Sequence, residues 1–92
     1  MTSRRTAQFR TLFEQLPAEV QLSAQRAYSM FQRDPAHPSL QFKRLRADRQ
    51  TWSIRIGLGY RALGLRFDET LVWYWIGPHA EYDHLISQLK RP

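Results

Sequence analysis

The sequence predicts an α+β domain in which an N-terminal helical hairpin packs on a four-stranded antiparallel sheet and a C-terminal helix closes the chain. Three observations carry this. Apolar residues recur at helical spacing in two stretches before Arg33. Three successive runs between Thr51 and Ile76 are strand-like, the first of them in clean alternation. The connections between those runs, Gly57-Leu58-Gly59 and Asp68-Glu69, have hairpin length. At 92 residues the chain is read as one domain, 1–92, with no room for a second core.

Phe9, Leu12, Phe13 and Leu16 fall at i, i+3, i+4 and i+7, an amphipathic helix over Arg4 to Leu16. No strand is expected before Arg4. Pro17 interrupts the pattern and suits the first position of a second helix, with Glu19 favourable in its first turn. Val20, Ala24, Ala27, Tyr28 and Phe31 form that helix's stripe, which ends near Arg33 because Asp34-Pro35 and His37-Pro38 disfavour continuation. Leu40 to Leu45 reads as a short first strand, followed by the charged turn Arg46-Ala47-Asp48-Arg49-Gln50. The remaining strands are Thr51 to Ile56, Tyr60 to Phe67 and Thr70 to Ile76, stopped by Gly77-Pro78. Tyr82, Leu85, Ile86 and Leu89 stripe a final helix, with Lys90 and Arg91 favourable at its C-terminal end.

Register decides which side chains share a face. A two-residue turn at Leu58-Gly59 would put Arg55 and Arg61 on opposite faces. A three-residue loop with Gly59 in the left-handed third position pairs Ile56 with Tyr60, Ile54 with Ala62 and Arg55 with Arg61. It also sets Trp73 beside Gly64 and Trp75 beside Ala62, large rings over small neighbours on the helix-covered face. The other face then carries Ser53, Arg55, Arg61, Leu63, Leu65, Val72, Tyr74 and Ile76, with Arg55, Arg61 and Ile76 in one row. Like charges directly opposite one another repel, so a fold that keeps such a pair is expected to place an anion between them.

Fourteen Lys and Arg against eight Asp and Glu give a net charge of +6 and a pI near 10.5. That balance attracts nucleic acid, acidic protein or anionic membrane. No apolar run approaches the ~20 residues of a spanning helix, and MTSRRTAQFR lacks the apolar stretch of a signal peptide. With no cysteine, disulfides, thiolate metal sites and thiol catalysis are excluded, and cytoplasmic residence is the expectation.

Two guanidinium forks with an imidazole from His79 beyond the row would suit a phosphodiester, since Arg binds phosphate bidentately and His moves protons near neutrality. RNA makes that set sufficient without a metal, because its 2′-hydroxyl is an internal nucleophile. His37, His79 and His84 are scattered and no HExxH motif or carboxylate cluster appears, so neither metal nor cofactor is expected. The simpler alternatives stay open. Arg55 and Arg61 would also serve as exposed strand residues paired with carboxylates, His79 as a surface residue, and Tyr82 as core packing. Lys43, Arg44, Arg46 and Arg49 form a basic run that reads either as a solvated edge or as a grip on RNA backbone.

Two N-terminal helices, a basic strand and the stretch WSIRIGLGYRALGLRF to WYWIGPHAEYDHLI resemble the RelE/ParE superfamily of bacterial toxin–antitoxin toxins, RelE- and HigB-like members above all. The resemblance spans roughly Phe9 to Leu89. It implies a RelE-like, microbial-RNase-like fold and a ribosome-dependent mRNA endonuclease that inhibits translation. It further implies a cognate acidic antitoxin as partner, with operator DNA engaged only through the antitoxin complex. Carried over by position, Arg55 falls on a functional basic strand residue, Arg61 on the arginine of the GYR segment, and His79 on a basic residue after the strand-ending glycine. Tyr82 stands in for a C-terminal tyrosine. Ser53 occupies the place of an expected lysine. ParE-like members share the fold but poison DNA gyrase, so the alternatives are a gyrase inhibitor or a non-catalytic binding protein.

Overall fold

A computed structural model of the chain describes residues 1–46 and 48–89. Ala47 in the charged turn, and Lys90 and Arg91 beyond the last helix, lie outside the described residues. The elements run β1 (Thr2–Arg5), α1 (Ala7–Glu14), α2 (Ala18–Arg33), a 3₁₀ turn (Pro38–Leu40), β2 (Lys43–Arg44), β3 (Thr51–Ile56), β4 (Tyr60–Phe67), β5 (Thr70–Pro78) and α3 (His79–Leu89). The sheet has five strands in the order β1-β5-β4-β3-β2, with β1 parallel to β5 and every other pairing antiparallel.

The fifth strand corrects the four-stranded expectation. β1 is Thr-Ser-Arg-Arg, a mostly exposed edge strand without apolar alternation. Backbone pairing along Thr70–Trp73 makes it a strand, and charge on an edge discourages further pairing. Its presence moves the start of α1 from Arg4 to Ala7, where the Thr6 hydroxyl accepts from Phe9 N at 3.1 Å as the N-cap. The predicted Leu40–Leu45 strand shrinks to Lys43–Arg44, because Pro38–Leu40 coils and Gln41 is left-handed with φ 46°.

The helical hairpin lies on one sheet face as expected. Gln21 Nε2 reaches back from α2 to the carbonyls of Phe13, Glu14 and Leu16, satisfying acceptors that the end of α1 leaves free. Phe9, Ala24 and Phe31 close over Ile54, Ile56, Ala62, Leu71, Trp73 and Ile76. Trp73 sits beside Gly64 as predicted, so closely that a Cβ there would stand 2.8 Å from Trp73 Cε3.

The β3–β4 register is the expected one, with Ile56 opposite Tyr60 and Arg55 opposite Arg61. The left-handed residue of the loop is Gly57 (φ 58°), however, and not Gly59. A second departure has larger consequences. A β-bulge between Leu63/Gly64 and β5 pairs Leu63 with Trp75 and Gly64 with Trp73, leaving Tyr74 as the extra residue. Everything beyond it on β5 changes face. Trp75 leaves Ala62 for a second cluster with Leu45, Leu63 and Tyr82, while Ile76 pairs with Ala62 and joins the helix-covered core. The predicted row Arg55–Arg61–Ile76 is therefore Arg55–Arg61–Gly77. β5 also continues through Pro78, and His79 N donates to Gly59 O at 2.8 Å, tying the start of α3 to the hairpin loop.

Candidate functional site

Arg61 is the centre of the site. β4 carries it on the face of Leu63, and α3 folds over that face through Tyr82, Leu85 and Ile86. The result is an arginine only 7% exposed. Its Cζ lies 5.2 Å from the centroid of the Tyr82 ring, a cation–π contact. Nη2 donates to Gln41 Oε1, while Nε and Nη1 are buried without a partner. Among the described residues no carboxylate comes within 4 Å of Arg61, since the recorded ion pairs are Arg66–Glu69 and His79–Asp83. A buried charge is normally paired because desolvation is costly. Here a full positive charge is held by one neutral acceptor and one aromatic face.

Tyr82 is 5% exposed, so the core-packing reading of its stripe position holds. Its hydroxyl donates to the fully buried Ser53 Oγ at 3.3 Å. The side chain of Ser53 thus props the ring that covers Arg61. His79 stands at the first turn of α3, half-exposed, with its ring centroid 5.6 Å from that of Tyr82. Asp83 Oδ2 lies 3.0 Å from His79 Nδ1, which leaves Nε2 outside that ion pair. Gly77 completes the row. A Cβ on Gly77 would stand 2.6 Å from Trp75 Cζ2, so only glycine leaves room for the indole there.

Arg61, His79 and Tyr82 therefore come together. Arg55 faces Arg61 in register, but its side chain turns back, with Nε donating to Gly57 O at 2.9 Å. It lines a groove of about 400 Å³ against α2 with Ser23, Arg26, Met30 and Ser39. β2 stops before reaching this part of β3, and that open edge gives Arg55 the room to turn. The basic run divides as well. Lys43 pairs with Ser53 and shares the Arg61 face, whereas Arg44 pairs with Trp52 on the other. Arg46 and Arg49 are exposed in the following turn.

Sequence reasoning missed Gln41, read as mid-strand, and nothing local marks it as a partner of a residue twenty positions away. Asp83 was findable, since the i, i+4 spacing from His79 on a helix predicts contact. Burial pushes the Tyr74 phenol above its ordinary value; the Asp48 carboxylate adds to the rise and a hydrogen bond with Thr51 opposes it. Among the described residues no three His, Asp or Glu side chains converge on a point that would hold a metal ion.

The model of the ParE-like toxin domain matches residues 18–84. No curated protein matches the sequence. Among solved structures, the chain is similar to the RelB–RelE antitoxin–toxin complex from Methanococcus jannaschii, with TM-score 0.70 and 14% identity over 88% of this chain and 96% of that one. It is similar to the toxin–antitoxin complex RelBE2 from Mycobacterium tuberculosis, with TM-score 0.65 and 28% identity over 84% and 95%. The isolated RelE toxin of E. coli gives TM-score 0.65 at 14% identity over 96% and 97%.

Proposed function

Since the chain belongs to the ParE-like toxin domain family, within the RelE/ParE superfamily of toxins, we propose that it is the toxin of a toxin–antitoxin pair that cuts mRNA on the ribosome and so stops translation. The observation that carries the catalytic part is Arg61, a buried guanidinium with two donors unpartnered and no carboxylate beside it among the described residues. Such a group is built to receive an anion rather than to complete an internal ion pair.

Cleavage needs no metal in this reading. The 2′-hydroxyl of the substrate attacks the adjacent phosphorus, the 5′-oxygen departs, and a 2′,3′-cyclic phosphate and a 5′-hydroxyl result. Arg61 stabilises the charge that builds on the phosphate oxygens. His79 transfers one of the two protons through Nε2, with Asp83 fixing its ring, and solvent carries the other. Tyr82 acts as a positioning residue, because its hydroxyl is spent on Ser53. Lys43 would contact a neighbouring phosphate on the same face, Arg55 a phosphate that reaches the groove against α2, and Arg46 and Arg49 the backbone beyond.

The net charge of +6 suits an acidic antitoxin as well as RNA, and two of the similar structures are antitoxin–toxin complexes. Operator DNA would be reached only through that antitoxin. No described helix is long and apolar enough to cross a membrane, and cytoplasmic action fits mRNA as target. A gyrase inhibitor is the second reading, and the covered guanidinium favours it, since a binding toxin needs no open site.

Brief induction followed by mapping of transcript ends separates the two. The ribonuclease reading expects new 5′-hydroxyl ends within coding regions, absent with Arg61→Ala although that variant still folds and binds antitoxin. Intact transcripts accompanied by DNA damage signalling would replace it with gyrase inhibition.

A further inference from the structure

Arg61 meets the outside of the molecule through one polar contact. Nε and Nη1 are sealed from solvent, and Nη2 is occupied by the amide oxygen of Gln41, a residue exposed at the surface between the 3₁₀ turn and β2. Gln41 holds that position with φ 46°, one of two non-glycine residues with positive φ among the described residues. Backbone strain of this kind persists where the surroundings impose it.

Resting on the reading of Arg61 as the phosphate-binding group, we infer that Gln41 is a removable plug whose amide oxygen occupies the place of a substrate phosphate oxygen. Three features support it. The amide is neutral, so it satisfies Nη2 without cancelling the guanidinium charge, and an incoming phosphate makes the stronger, charge-assisted bond. Gln41 is exposed and leaves by side-chain rotation. Tyr82, the other cover, is 5% exposed and anchored to Ser53, so it is not the movable part.

The test uses the full chain and inorganic phosphate, followed through the Arg61 Nε–H resonance and by thermal shift. Gln41→Asn is one methylene too short to reach and tolerates the left-handed backbone; Gln41→Gly, which suits positive φ, is a second opening variant. Both should bind phosphate roughly two- to tenfold more tightly than the natural chain, the factor to which one net hydrogen bond corresponds. Gln41→Glu forms a permanent ion pair and should weaken phosphate binding at least tenfold while raising the melting temperature.

Equal or weaker binding by the opening variants, undiminished binding by Gln41→Glu, or no binding by any of the four proteins overturns the plug. Transcript cleavage by the natural chain would still support the ribonuclease in those cases. Conversely, the expected binding order without cleaved transcripts keeps the plug and removes the ribonuclease.

Discussion

Arg61→Met should give a protein that is more stable than the natural one and has lost its activity. Methionine fills a similar volume and buries no charge. Two orphaned buried donors at about 1–3 kcal/mol each are relieved. Against that stand the lost charged hydrogen bond to Gln41, about 1.5–3 kcal/mol, and the lost cation–π contact with Tyr82, about 2 kcal/mol for a desolvated pair. With central values these terms nearly cancel, and relief from desolvating the buried charge then tips the balance by about 1 kcal/mol toward methionine, the low end of what replacing buried ions by apolar residues gives. In a domain of this size that raises the melting temperature by about 4–8 °C. Paired urea and thermal melts at neutral pH measure it. Phosphate adds a second arm: as a ligand of the folded state it should raise the melting temperature of the natural chain and leave Arg61→Met unmoved. Arg61→Met destabilised by 1 kcal/mol or more would refute the reasoning, because the fork would then be satisfied in the folded protein and its charge would not be waiting for an anion.

Tyr82→Phe removes only the hydroxyl bond to Ser53 and should keep growth arrest at a cost of about 1 kcal/mol in stability, whereas Tyr82→Ala should abolish arrest; loss of arrest with the phenylalanine would make the phenol a proton donor. Gly64→Ala places a methyl 2.8 Å from both Leu71 Cδ2 and Trp73 Cε3 and should cost about 1–3 kcal/mol by overpacking, read by urea denaturation. Burial raises the Tyr74 phenol above its ordinary value, with Thr51 opposing and Asp48 adding. The folded chain therefore holds this proton more tightly than the unfolded one. Stability should be intact below about pH 10 and fall as pH rises toward the raised value. Absorbance titration of Tyr74→Phe against the natural chain should show the most alkaline tyrosine step missing; an unchanged curve would contradict the shift.

Apolar periodicity and turn length were enough to read the helical hairpin, the three antiparallel strands and the Arg55–Arg61 pairing from the chain alone. These are local properties, set by 3.6- and 2-residue repeats and by a three-residue loop whose count fixes register even though Gly57, and not Gly59, takes the left-handed turn. The family resemblance was legible in the same stretches. Only the tertiary structure decided the rest. β1 is a strand because β5 offers it an unpaired edge, and nothing in Thr-Ser-Arg-Arg encodes that. The bulge at Tyr74 exchanges the faces of Trp75 and Ile76, so that Gly77 stands beside Arg61 in place of an isoleucine. Gln41 reaches Arg61 and Tyr82 reaches Ser53 across 20 and 29 residues. Contacts of that range depend on how whole elements pack, and a single side chain carries no mark of the neighbour it will meet.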